Sequence, residues 1–180
     1  MSPELSRRDA IVALGAAGVA TAGLGALAWE TLEEGDSDGM SSTDQRETIV
    51  AAAEALYPSE VEGVETFVER YVVGRVQDRT AYFERMRDAA DRIDENARYW
   101  HDAPFADLDR VTRQQVFDEF GLADAEANPE GNEVERVRYY LLNELLFAFY
   151  SSPTGGSLVG IENPQGYAGG TASYQRGPPE

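Results

Sequence analysis

Val134-Glu135-Arg136-Val137-Arg138-Tyr139-Tyr140-Leu141-Leu142-Asn143-Glu144-Leu145-Leu146-Phe147-Ala148-Phe149-Tyr150 is the longest apolar run in the mature part of the chain, and its reading decides the fold class. Val137, Tyr140, Leu141, Leu142, Leu145, Leu146, Phe147, Phe149 and Tyr150 cover more than one face of a helix, so the segment needs neighbours on several sides. Asn143 and Glu144 interrupt it, which argues against a membrane span and for a central packed helix.

Upstream the same periodicity recurs. Ser42 or Thr43 opens a helix with Ile49, Ala52, Ala53 and Leu56 at helical spacing, and Pro58 ends it. Val61 to Gln77 carries Val64, Phe67, Val68, Tyr71 and Val72, the i, i+3, i+4, i+7, i+8 stripe of a core-facing helix. Thr80 to Tyr99 repeats it with Tyr82, Phe83, Met86, Ala89, Ala90, Ile93 and Ala97 against a charged opposite face. Asp109 to Phe120 reads as a shorter helix stopped by Gly121, with capping-box spacing at Thr112 and Gln115 that would move its start inward. Residues 122–132 read as a loop. No alternating strand pattern of useful length occurs, so the expectation is an all-α, four- to five-helix bundle.

From Ser151 the character changes. Ser152-Pro153, Gly155-Gly156, Gly160, Asn163-Pro164 and Gly166-Tyr167 predict an irregular segment over 151–180, while Leu158, Val159, Ile161 and Tyr167 give it something to bury. It reads either as a terminus wrapping its own bundle or as a partner-docking segment.

At the other end, Ser6-Arg7-Arg8-Asp9 leads into the uncharged stretch from Ala10 to Trp29, closing on Ala26-Leu27-Ala28. Paired arginines, a weakly apolar Ala/Gly-rich stretch and a small-x-small site together read as a twin-arginine export signal over residues 1–28, with Arg7, Arg8, Ala26 and Ala28 as its working positions. Such a signal sends a folded protein, often one already holding a cofactor or partner. The stretch is also about as long as a span of roughly 20 residues, so a retained anchor is the alternative to cleavage. No cysteine follows it, which excludes a lipoprotein anchor. Residues 29–44, rich in Glu, Gly, Asp and Ser, read as a flexible acidic linker, leaving 45–150 as the helical domain.

Acids outnumber bases 33 to 15 for a formal charge of −18, and every basic residue is arginine. Such a surface repels itself in ordinary buffer, whereas in molar salt the Debye length shrinks to about 3 Å and the repulsion nearly vanishes. A halophilic protein is the expectation, with recruitment of a cationic partner as the competing reading. No basic stripe exists to neutralise phosphates, which disfavours nucleic acid.

The residues nominate no chemistry. With no cysteine there is no disulfide, thiolate metal site or cysteine nucleophile. His101, the sole histidine, could be a base oriented by Asp102, yet nothing supplies a nucleophile, and a packing role is the plainer reading. Carboxylate pairs such as Asp91 with Glu95, or Asp88 with Asp91, arise from composition alone. A di-metal bundle needs two Glu-x-x-His pairs, and Gly169-Gly170 follows no strand, so no dinucleotide fingerprint exists. No cofactor, metal or catalytic residue is expected in this chain.

Three features carry a resemblance: the twin-arginine leader; Leu56-Tyr57-Pro58 followed by Gly63-Val64 and Phe67-Val68; and Tyr150-Ser151-Ser152-Pro153 with Gly155-Gly156, Gly160, Asn163-Pro164 and Gly166-Tyr167. In these the chain resembles subunit 3 of the membrane-bound gluconate 2-dehydrogenase family. It departs in having Leu158, Val159 and Ile161 where members often carry a tryptophan. The resemblance implies a non-catalytic subunit that stabilises a large flavin-dependent oxidoreductase of the glucose-methanol-choline type and supplies its export signal. FAD would sit in that partner, and a cytochrome or other electron-acceptor subunit is a further candidate. The complex would be extracytoplasmic, at the membrane or cell surface, with membrane association through the leader or the complex only. Its implied interface is Tyr150, Ser152, Pro153, Gly155, Gly156, Gly160, Asn163, Pro164, Gly166 and Tyr167, with the apolar faces of the last helix. A free-standing exported helical module for a small ligand or envelope component is the rival; an autonomous hydrolase lacks a nucleophile and base.

Overall fold

The structure, a computed structural model, describes residues 42–72 and 79–159. These form α1 (Ser42–Leu56), α2 (Val64–Tyr71), α3 (Thr80–His101), a 3-10 turn (Phe105–Asp107), α4 (Arg110–Glu119), α5 (Glu133–Val137), α6 (Asn143–Ser151) and α7 (Pro153–Leu158). A π-helical stretch, Arg138–Leu142, joins α5 to α6. No strand occurs among the described residues, and the chain is all-α.

α1 shares the centre with the last helical run. It touches α2, α3, α4, the 3-10 turn, the π stretch and α6. Ala51, Ala52, Ala53 and Ala55 are all buried, and their small side chains let the surrounding helices approach its backbone from several sides. Hydropathy marks the Val134–Tyr150 run more strongly than it marks α1, although α1 is buried as completely.

The far end of α1 shows how the bundle closes. Tyr57 is 1 % exposed; its ring stacks on Phe149 at 4.6 Å, and its hydroxyl donates to the Leu145 carbonyl at 2.8 Å. Burial pushes its phenol well above the ordinary range. The last carbonyls of a helix lack partners within it. Here Gln114 of α4 donates to the Ala55 carbonyl at 2.9 Å, and Arg110 donates to that of Tyr57.

α2 begins at Val64, not Val61, because Gly63 adopts the left-handed φ of +72° at its N-cap and breaks the helical path there. Residues 73–78, the remainder of the expected helix, lie outside the described residues. α4 is capped by Asp109, not Thr112: the Asp109 carboxylate accepts from the Val111 and Thr112 amides at 2.9 and 3.1 Å. At its far end the Gly121 amide donates to Asp118 and the Leu122 amide to Phe117, both at 3.0 Å, the paired bonds of a Schellman stop with Leu122 buried. The capping box belongs instead to α5, where Asn132 and Glu135 exchange bonds of 2.8 and 3.0 Å.

The largest correction concerns the C-terminal segment. Ser151 closes α6, and Pro153–Leu158 is helical, so the irregular reading fails for these residues. The Ser152 hydroxyl donates to the Phe149 carbonyl at 2.6 Å and accepts from the Gly155 amide at 3.1 Å, while Pro153 occupies the first helical position. A serine N-cap followed by proline is a helix start, and two following glycines did not cancel it.

Charge is distributed unevenly between the two signs. Arg46 bridges α1 to Glu65 and Glu69 of α2, Arg113 bridges α4 to Glu54 of α1, and Arg92 bridges α3 to Glu133. Asp94, 2 % exposed on α3, accepts from the Phe105 amide at 2.8 Å and the Arg98 guanidinium at 2.5 Å, seating Phe105 in the core. Arginines thus tie elements together, while acids such as Glu60, Glu62, Glu84 and Asp124 face solvent.

Candidate docking groove

Glu144 is the one feature of the long apolar run that burial makes costly. It lies on the inward side of α6, 8 % exposed, where an ionised carboxylate needs donors. Two tyrosines supply them: Tyr71 of α2 donates to one oxygen at 2.6 Å, and Tyr82 of α3 donates to the other at 2.8 Å. One carboxylate thus ties α2 and α3 to the last helix. Burial first, then the bond to Glu144 and its charge, push the Tyr82 phenol far above the ordinary range. Arg79 opposes this, its guanidinium carbon 4.1 Å from the centre of the Tyr82 ring.

The clasp forms one wall of a surface groove of about 510 Å³, lined by Tyr82, Tyr139, Asn143, Glu144, Leu146, Phe147 and Tyr150. The π stretch contributes to it. There the Asn143 amide donates to the Arg138 carbonyl, five residues back, which widens the turn and resets the side-chain register midway along the run. Tyr82, Tyr139 and Tyr140 then pack at 4.9 to 6.3 Å with tilted or edge-on rings. Phe147 and Tyr150, 41 % and 44 % exposed, lie on a helix whose Glu144, Leu145, Ala148 and Phe149 are buried.

The expected interface residues divide by position. Tyr150 and Pro153 are exposed, and Tyr150 lines the groove. Ser152, Gly155 and Gly156 are buried and build the α6–α7 joint. A Cβ added at Gly155 would fall 2.1 Å from the Phe149 carbonyl oxygen, so close approach of the two helices requires glycine there. Gly160, Asn163, Pro164, Gly166 and Tyr167 lie outside the described residues, as do the leader positions Arg7, Arg8, Ala26 and Ala28. The periodicity places Tyr82 and Phe147 on core stripes and leaves Tyr139 and Glu144 without a role. A carboxylate within so apolar a helix was the available signal.

His101 ends α3, and its Nε2 lies 2.9 Å from Glu119 of α4. Asp102 adopts a left-handed φ of +54° and stays exposed, and it is Glu119 that orients the ring. The Glu119 carboxyl is held below its ordinary range, first by Gln115 and then by His101. A second cleft, between α3 and α5, is lined by Arg85, Asp88, Asp91, Arg92, Glu95 and Glu133, whose charges largely pair with one another. Tyr99 and Trp100, 77 % and 60 % exposed, form an edge-on pair at 5.0 Å near the far end of α3. Among the described residues no group of three or more His, Asp or Glu side chains is placed to hold a metal. No described helix is long and apolar enough to cross a membrane.

Fold and groove together define a small all-α chain that leaves Phe147 and Tyr150 exposed at a surface groove. The chain belongs to the gluconate 2-dehydrogenase subunit 3 family: the family model, described as Gluconate 2-dehydrogenase subunit 3, matches residues 43–169. That range takes in the helical body from α1 through α7. No curated protein and no solved structure gave a significant match.

Proposed function

We propose that this chain is the non-catalytic small subunit of a dehydrogenase complex, stabilising a large flavin-dependent oxidoreductase of the glucose-methanol-choline type and escorting it through the twin-arginine route. The reading is supported by the family, named for a subunit of gluconate 2-dehydrogenase. The observation that carries it is the exposure of Phe147 and Tyr150 on a helix whose remaining apolar residues are mostly buried. Large aromatic side chains left open at a groove are the composition of a protein interface centre. FAD belongs to the partner, a cytochrome or other electron acceptor would complete the complex, and the assembly is extracytoplasmic.

The export half rests on Arg7 and Arg8. With both replaced by lysine in cells expressing the two subunits, both polypeptides should be retained inside and extracellular dehydrogenase activity should fall to background. Fractionation and immunoblotting read this directly. Normal export of the large subunit alongside a retained small subunit contradicts the escort role.

A further inference from the structure

Along α3, Met86, Ile93 and Trp100 recur every seven residues and so share one face of the helix. Met86 and Ile93 are fully buried, as is Ala97 one turn before the tryptophan, yet Trp100 is 60 % exposed. The apolar stripe that packs α3 into the body thus runs one turn past the residues that cover it. Tyr99 is 77 % exposed, and its ring meets the indole edge-on at 5.0 Å. Arg98, half exposed, completes three consecutive residues of the types most enriched where protein interfaces hold tightest. All three stand on the last turn of a 22-residue helix, which Asp102 stops with its left-handed φ of +54°. Aromatic side chains held on so long a helix lose little freedom when they are covered.

The charge around the pair selects among occupants. Glu95, one turn before Tyr99, is 60 % exposed, and Asp102, two residues beyond Trp100, is exposed as well. A second copy of this chain would bring its own charge of −18 to the contact, and an anionic lipid surface is repelled in the same way. A protein that offers an apolar pocket with a basic rim is attracted by the carboxylates and covers the rings.

We propose that Tyr99 and Trp100 form an anchor that inserts into an apolar pocket of the large dehydrogenase subunit, with Glu95 and Asp102 facing basic residues on the pocket's rim. This rests on the accessory-subunit reading and names the chemistry the partner must present at this end of α3.

The test uses the full chain and its large subunit, mixed in high salt. Tyr99→Ala combined with Trp100→Ala truncates two exposed side chains, so the isolated chain should melt as the wild type does. The complex should dissociate at least about tenfold more readily, the equivalent of roughly 1.4 kcal/mol. A second readout does not depend on a truncated variant. The chain has two tryptophans, Trp29 and Trp100, so Trp29→Phe leaves position 100 alone to carry a 5-hydroxytryptophan label, excited where the partner's ordinary tryptophans do not absorb. Its emission should move to the blue and its quenching by acrylamide should fall when the large subunit is added.

Full affinity in the double alanine variant, or an unshifted label in a complex that has formed, overturns the anchor while leaving the subunit assignment standing. So does a label already shielded in the chain alone, whether the shielding is lost on deleting residues 160–180, which would make the chain's own tail the occupant, or on dilution, which would make it a second copy. Failure of the wild-type chain to bind the large subunit at all overturns the subunit assignment and the anchor with it.

Discussion

Replacing Glu144 with alanine is expected to destabilise the isolated helical body by about 3 kcal/mol, measured as a shift in the midpoint of denaturant unfolding. Two effects add. The Tyr71 and Tyr82 hydroxyls lose their acceptor in a part-buried setting, at roughly 1 kcal/mol or more each, and truncation of a side chain that is 8 % exposed leaves a void. Glu144→Gln separates them. An ionised carboxylate offers two acceptor oxygens, one to each tyrosine, whereas a carboxamide offers one oxygen and one donor. One tyrosine keeps its bond and the other must turn away, so the expected loss is about 1 kcal/mol. Equal stability of the alanine variant and the wild type would show that the clasp does not tie α2 and α3 to the last helix.

The second large effect is expected at Gly155. Within a helix, glycine to alanine normally stabilises by roughly 0.5–1 kcal/mol. Here the new methyl would sit 2.1 Å from the Phe149 carbonyl oxygen and 2.6 Å from its carbon, both backbone atoms that cannot swing aside. Overpacking of that kind costs about 1–3 kcal/mol, at the upper end where backbone must move. The clash outweighs the propensity gain, and Gly155→Ala should lower thermal stability by about 2 kcal/mol net. Because the strain falls on the joint between α6 and α7, it should also disturb the adjoining groove. A melting temperature at or above that of the wild type would mean that α7 does not pack as described.

The helices were legible in the sequence where one apolar face met one solvated face. α3 is the clearest instance: Phe83, Met86, Ala89, Ala90, Ile93 and Ala97 are buried as their spacing requires. Legibility failed where contacts came from far along the chain. Tyr82 shares that stripe but turns its hydroxyl to Glu144, 62 residues away, and Asp94 is buried because the Phe105 amide returns to it. Residues 153–158 failed for a different reason: Gly155-Gly156 suggested irregular backbone, whereas a capping serine and the floor offered by Phe149 select helix. The groove was half visible. Tyr150 and the faces of the last helix belong to it, but its π stretch, which sets how Tyr139 and Phe147 project, leaves no mark in an apolar pattern that an ordinary α-helix would satisfy equally well.

If this helical body accompanies a larger flavoprotein, as proposed, the two polypeptides travel together. Size-exclusion chromatography of the two subunits co-expressed in high salt tests it most directly. A single peak containing both polypeptides and carrying flavin absorbance is expected, with the large subunit losing solubility or flavin when this chain is omitted. Elution of this chain alone as a stable monomer, beside a large subunit that is fully flavinated and active without it, would rule out the accessory role.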